Sequence, residues 1–299
     1  MQMKNFFFII LMILAACFGG AKAYIDHQLH IELDTSIQSV AELVPIEYSE
    51  VSTSLLGSVY IRHLRLTIPN SDPILINTIT LYKAYQFYNP NKLPQHISMA
   101  IQGIQIPIPI SDTAAPTPVL VSAFGYAPYY FTLKELRELG YARINADIHI
   151  EAKPDKHKMS LWGKINAQAW GELTLSADLN NVPTPASLSI KTASQIQLAE
   201  LTLSYTNKGF INRIFTHLAR RNKMTVNRLK YSLINQLKNS MSQAKITLDA
   251  SVLTSLQQFI QTPDRLTIHL KPNPPLTINT PIYTFPKSLG LKMTTINSN

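Results

Sequence analysis

Apolar and polar residues alternate along much of this chain, and the longest unbroken alternation runs from Ala142 to Leu179. On its first arm Ala142, Ile144, Ala146, Ile148, Ile150 and Ala152 interleave with Arg143, Asn145, Asp147, His149 and Glu151. On the second, Met159, Leu161, Ile165, Ala167, Ala169, Leu173, Leu175, Ala177 and Leu179 all fall on odd positions. A period of two puts each apolar set on one face of a strand. The pattern predicts a long central hairpin, its arms joined by an exposed turn over residues 153–158, where proline and charge interrupt the alternation. A second arm running straight to Leu179 would extend about 70 Å, so it has to bend, break or belong to a large curved sheet.

Other strand-like runs change phase partway. Val59 and Ile61 give way to Leu64, Leu66 and Ile68; Ile97, Met99 and Ile101 give way, across Gly103, to Ile104, Ile106 and Ile108. A one-residue slip would turn the apolar set to the other face unless a bulge absorbs it, so twisted, bulged strands are expected. Further strands are expected at Ile74 to Tyr82, Ile196 to Tyr205 and Arg265 to Lys271, with an edge strand near Ser288 to Met293. Residues 107–131 form a proline- and aromatic-rich connector. A capping box at Thr132 to Glu135 then opens a short helix from Leu133 to Leu139, stopped by Gly140.

Helical spacing appears in two places. Leu29, Leu33, Ile37, Val40 and Leu43 suit a helix ended by Pro45. Beyond the sheet-like region, Phe210, Ile211, Ile214, Phe215 and Leu218, then Val226, Leu229, Leu233 and Leu237, then about Val252 to Gln261, predict a helical insertion over residues 207–261. The expected class is therefore α+β: a twisted, bulged, mainly antiparallel sheet with a long central hairpin and a helical insertion in the C-terminal third. Residues 24–299 are expected to form a single domain.

Composition changes this picture in two ways. A hydrophobic content of 45% with 15% charged residues excludes a disordered polymer. Charge is unevenly placed: from Leu201 to Leu248 there is no acidic residue, while Lys208, Arg213, Arg220, Arg221, Lys223, Arg228, Lys230, Lys238 and Lys245 are basic. Such a segment suits an anionic surface, each basic residue near anionic head groups being worth roughly 1 kcal/mol; a solvated helical face that happens to lack acids is the plainer alternative. No nucleic-acid-reading motif accompanies it, and nucleic acid is not an expected partner.

The first residues address the compartment. Lys4 precedes an apolar run from Phe6 to Leu14 of signal-peptide length. Three outcomes are open: Leu14-Ala15-Ala16-Cys17 as a lipobox with Cys17 acylated, cleavage after Ala21-Lys22-Ala23, or retention as a short anchor. Each makes the chain exported, periplasmic and membrane-associated or secreted. Cys17 is the single cysteine, so no intramolecular disulfide or cysteine-based metal site can form.

Enzyme signatures are not found: no G-x-S-x-G, no phosphate-binding P-loop and no dinucleotide fingerprint. Asp147, His149 and Glu151 share one strand face, where an acid/base or metal site is conceivable and an ordinary polar surface is the simpler reading. Trp162 and Trp170 fall on the polar face of the second arm and are candidate partner contacts. No cofactor and no metal are predicted.

Three stretches carry a family resemblance: Ile46-Glu-Tyr-Ser-Glu-Val51 running into Ser54-Leu-Leu-Gly-Ser-Val-Tyr-Ile61, the strand-to-helix step Leu203-Ser-Tyr-Thr-Asn-Lys-Gly-Phe210, and the closing Leu289-Gly-Leu-Lys-Met293. They resemble the AsmA-like and DUF945-type envelope proteins of Gram-negative bacteria. The resemblance implies one N-terminal membrane segment followed by a long curved sheet, whose apolar concave face in the AsmA-like case handles lipid. The sequence-level expectation is a non-enzymatic envelope protein that binds a lipid or other amphipathic molecule on the apolar sheet face, with a structural or assembly factor holding an envelope protein partner as the alternative.

Overall fold

The structure, a computed structural model, describes residues 27, 45–54, 56–67, 72–88, 94–108, 117–118, 130–183, 192, 194–243, 247–277 and 289–296. Apart from His27, the N-terminal expectations, Cys17 and the helix before Pro45 among them, lie outside the described residues, as does most of the connector. Strands β1 (Ile46–Glu47), β2 (Glu50–Thr53), β3 (Val59–Leu66), β4 (Ile74–Tyr82), β5 (Ile97–Pro107), β6 (Thr117–Pro118) and β7 (Tyr130–Phe131) precede helix α1 (Leu133–Glu138). Then come β8 (Arg143–Asp155), β9 (Lys158–Ala167), β10 (Gly171–Asn180) and β11 (Gln197–Asn207). Helices α2 (Phe210–Arg221), α3 (Val226–Gln243) and α4 (Ala250–Gln261) follow, and β12 (Arg265–Leu270), β13 (Leu276–Thr277) and β14 (Lys292–Ile296) close the chain.

The class is α+β, with an open, twisted and antiparallel main sheet. Among the described residues it has twelve strands, in the order β1-β3-β4-β5-β8-β9-β10-β11-β12-β14, with β2 beside β3 and β13 beside β11; β6 and β7 pair separately. Most neighbours in the sheet are also neighbours in sequence, as expected where short turns join antiparallel strands. Three pairs along that order, β1–β3, β5–β8 and β12–β14, skip strands, and β11 and β12 pair from Leu201↔Leu270 to Thr206↔Arg265 although α2, α3 and α4 lie between them in the chain.

The long second arm is where the expected hairpin is corrected. It breaks at Gln168–Trp170, so that β9 and β10 pair with each other from Gly171↔Ala167 to Asn180↔Lys158. The central unit is a three-strand meander. Ala169 takes a left-handed φ of 61°, and tertiary bonds hold the turn: Tyr141 Oη donates to the Ala169 carbonyl at 3.1 Å and Tyr205 Oη to the Trp170 carbonyl at 2.9 Å. Gly171 is required by close approach, since a Cβ there would meet the Tyr205 ring at 2.5 Å and the Thr206 carbonyl oxygen at 2.7 Å. At the other end β8 continues through Pro154 to Asp155, and the turn shortens to Lys156 and His157.

The phase changes are taken up by kinks along one line of the sheet. Leu64, Ile76 and Ile104 are buried together with Ile61, Ile79, Ile101 and Ile148 packed on them, although Ile61 and Leu64 have opposite parity. The switch lies at His63, with φ 51°, and at Gly103, with φ 65°. A Cβ on Gly103 would lie 2.3 Å from the Asn77 amide. The register between β5 and β8 slips by one residue between Ile101 and Ile104, and that between β10 and β11 slips at Asp178/Leu179, which keeps Leu198 and Leu201 in use.

Helices cover part of the apolar face. Leu237 and Met241 of α3 and Leu256 and Phe259 of α4 bury against Leu266 of β12, with Tyr205, Ile268 and Met293 packed alongside. A second cluster joins Ile214, Phe215 and Leu218 of α2 to Leu229, Leu233 and Ile234 of α3 and Ile260 of α4. Helix α1 bridges the two layers: Leu136 packs with Ile108 and Tyr141, and Leu139 touches both this group and the helical cluster. Among the described residues no helix is long and apolar enough to cross a membrane.

Candidate functional site

Cross-strand register defines the apolar face residue by residue. One row runs Leu81, Met99, Ile150, Gly163, Leu175, Leu203, Ile268 across seven strands; the next runs Ile79, Ile101, Ile148, Ile165, Leu173, Tyr205, Leu266. At the β12 end both rows are packed beneath α3 and α4, and at the other end the second row packs against the Leu64–Ile76–Ile104 cluster. Between those ends Ile150 is 38% and Ile165 37% exposed, which is high for isoleucines on a sheet face with packed neighbours. Gly163 sits between them. A Cβ there would find only the His149 carbonyl oxygen at 3.8 Å, so the missing side chain leaves a dip with room beside it. The result is an apolar trough floored by Ile150, Gly163, Ile165 and Leu175.

The basic residues of α2 and α3 lie on the helical layer that packs on the apolar side, and they divide by what they touch, whereas Lys208 reaches the polar face and Lys245 lies outside the described residues. Arg221 is committed: its Nη1 is 2.7 Å from Glu135 Oε1, which also contacts His217 Nε2 at 3.0 Å. Glu135 is at the same time the return arm of the α1 capping box, its Oε2 accepting from the Thr132 amide at 2.8 Å. Partial burial pushes the Glu135 carboxyl up, but the bonds from His217, Thr132 and Arg221, with the Arg221 charge, outweigh it and hold the group at about 2. Lys230 is also committed, donating to the Gln261 carbonyl at the end of α4 at 2.7 Å and lying 5.8 Å from the Phe215 ring centre; desolvation pushes its pKa down. Lys208 donates to Asn166 Oδ1 at 2.6 Å, and Arg213 lies over the Tyr141 ring at 5.5 Å. Arg220, Lys223 and Arg228 make no side-chain hydrogen bond or ion pair among the described residues. Spacing alone could not separate these from the committed ones, because Glu135 lies far away in sequence.

The two tryptophans do not share a face. The turn at Gln168–Trp170 carries Trp170 to the apolar side, stacked on Phe210 at 4.2 Å and tilted against Tyr141 at 4.8 Å, with its Nε1 buried and unpartnered. That placement makes it a packing residue. Trp162 stays on the polar face, 5.5 Å from the His149 ring, and lines a shallow trough of about 200 Å³ with Glu151, Ser160, Ser176, Asp178 and Glu200.

The expected trio on β8 is split. His149 Nε2 lies 3.1 Å from Glu151 Oε1, but Asp147 Oδ1 accepts from the Gly103 amide at 2.8 Å and so secures the β5 kink. The second partner of Glu151 comes from outside the motif: His96 Nε2 at 3.3 Å. Bonding from His149, and then from His96, lowers the Glu151 pKa despite some desolvation. Among the described residues no group of three or more His, Cys, Asp or Glu is placed to hold a metal ion.

Comparison with known families places residues 164–295 in a match to a family model whose description is an uncharacterized protein. That stretch begins inside β9 and takes in the turn at Trp170, β10, β11, the three helices and nearly all of β14. A comparison with curated proteins gives no match.

Proposed function

We propose that this protein is a non-enzymatic module of the cell envelope that binds a lipid or another amphipathic molecule in the apolar trough, with the basic helical layer facing the anionic head group or membrane surface. The observation that carries the reading is the pair of half-exposed isoleucines, Ile150 and Ile165, flanking the dip at Gly163 in rows that α3 and α4 cover at the β12 end. Each methylene of an acyl chain transferred from water into such a trough contributes about 0.8 kcal/mol. Unpaired cations on the same side add attraction and orientation. The hydrophobic leader, with Cys17 as a lipidation candidate, supports an exported, membrane-associated location. The proposed helical insertion between β11 and β12 is the element that brings the charge to the apolar side.

The test is native mass spectrometry of protein extracted from its own envelope in mild detergent. A co-purifying lipid-sized adduct, lost in an Ile150→Lys/Ile165→Lys variant, is expected; its absence from the unaltered protein sinks the reading. A second reading is favoured by Trp162, an aromatic residue beside a trough on an otherwise polar face: an assembly factor that holds an envelope protein there. Photo-crosslinking from position 162 in cells distinguishes it by a discrete protein adduct.

A further inference from the structure

Where α1 meets the outward face of α2, a cleft of about 580 Å³ opens, lined by Asn212, Arg213, Thr216 and Arg220 from α2 and by Glu138 and Leu139 from α1. Arg213 and Arg220 are seven residues apart, two helical turns, and therefore point to the same side. Their surroundings leave both guanidinium groups without a carboxylate. Arg213 lies over the Tyr141 ring at 5.5 Å, a contact that orients the group without neutralising it. Arg220 is exposed and makes no side-chain hydrogen bond or ion pair among the described residues.

Neutralisation happens next door. His217 and Arg221 also border the cleft, and both are held by Glu135 at 3.0 and 2.7 Å. Glu135 is itself tied into the cap of α1 and makes no ion pair with Arg213 or Arg220. Glu138, at the exposed rim of α1, has no ion pair among the described residues and is the one acid that opposes an incoming anion. Along α2, His217 and Arg221 are thus balanced by Glu135, while Arg213 and Arg220 carry guanidinium charges that no carboxylate pairs among the described residues.

We propose that this cleft is a phosphate-binding site, taking a phosphomonoester or phosphodiester group between Arg213 and Arg220. Planar guanidinium groups suit the oxygens of phosphate through paired N–H donors, and two of them on one helix face match a group with several acceptor oxygens better than a single carboxylate. The cleft is larger than one phosphate, which leaves room for a substituent on the ester. As the place of a lipid head group this rests on the lipid-binding reading; as a site for free phosphate it does not.

The test uses the full chain and two double variants that remove the same charge: Arg213→Gln/Arg220→Gln in the cleft and Arg228→Gln/Lys238→Gln on α3. Binding is measured to phosphatidylglycerol vesicles, to phosphatidylcholine vesicles and to inorganic phosphate. The cleft variant is expected to lose at least tenfold in affinity for phosphatidylglycerol vesicles or phosphate, and the α3 variant less than threefold. Glu138→Gln is expected to tighten binding. Arg220→Gln alone removes no side-chain hydrogen bond or ion pair among the described residues, so its loss of binding does not reflect misfolding, and it is expected to lose at least threefold. Equal losses in the two double variants overturn the site in favour of diffuse surface charge. Binding to phosphatidylcholine vesicles that ignores the cleft variant overturns it while leaving the lipid reading intact. Phosphate binding that depends on Arg220 without any vesicle binding does the reverse. No binding to either probe overturns both.

Discussion

Leu266 and Ile150 belong to one apolar face of one sheet, yet Leu266 is 8% exposed beneath α3 and α4 while Ile150 is 38% exposed in mid-sheet. The two regions share an alternating pattern and strand pairing. What differs is the second layer. Where helices bring Leu237, Met241, Leu256 and Phe259 down onto the strands, the face is a core, and its side chains set stability. Where no described element covers the trough around Gly163, the same kind of residue contributes less to folding, and on the proposed reading it takes the ligand. Exposure of an apolar row beside a covered one, more than apolarity itself, is therefore what the proposed reading rests on.

The largest effect expected from this contrast is in the helical layer. Leu229 is fully buried at the contact of α2, α3 and α4, so Leu229→Ala should cost about 2–5 kcal/mol in a denaturant titration. A loss below about 1 kcal/mol would mean that the layer is loosely packed, and the distinction between core and trough would fail. Trp170→Ala comes next, at roughly 2–4 kcal/mol, because it opens the stack on Phe210 and Tyr141. Trp162→Ala, on the polar face, is expected to change stability by less than half as much. A reversed order would return Trp170 to the surface as a partner contact.

Glu135 gives the third expectation and its sign. Its folded pKa, about 2, lies below the ordinary 4.5, so the ionised carboxylate stabilises the fold fully above the unfolded value. That contribution is lost as pH falls from about 4.5 toward 2, and is expected to amount to about 2–3 kcal/mol. Glu135→Gln should flatten acid denaturation in this window and lower stability at neutral pH. An unchanged acid limb would show that the junction of α1 and α2 is not held by this group.

Much of the architecture could be read from the sequence, and the unreadable parts have common causes. The alternation marked the strands, and the phase changes at Ile61/Leu64 and Ile101/Ile104 announced the kinks that His63 and Gly103 make. The capping box at Thr132 and Glu135 is present as its spacing predicts. The break at Gln168–Trp170 was hidden because no proline, glycine or asparagine occupies the turn; hydroxyls of Tyr141, between α1 and β8, and of Tyr205 on β11 hold it from elsewhere in the chain. Trp170 was misplaced with it, since parity counting does not survive a turn. In the basic segment, charge was legible but commitment was not. Arg221 and Lys230 are tied to Glu135 and to the end of α4 through contacts that spacing cannot show. Gly163 is legible in the sequence as a glycine on an apolar parity position, but only register against Ile150 and Leu175 shows that it lies in the middle of the face.

The smallest expected change in stability is the sharpest probe of the contrast. Gly163 has no left-handed φ and open space at its Cβ, so a valine fits the strand without backbone strain. Valine favours strands and removes the entropic cost of glycine, so Gly163→Val should leave stability unchanged or raise it by up to about 1 kcal/mol. The same side chain fills the dip between Ile150 and Ile165, and lipid adducts in native mass spectrometry should fall several-fold. Two outcomes discriminate. A stabilised protein that no longer carries lipid places the ligand in the trough, because a substitution that weakens the fold cannot be blamed. A stabilised protein that keeps its full complement of lipid moves the binding surface elsewhere, and the exposed isoleucines then need another partner.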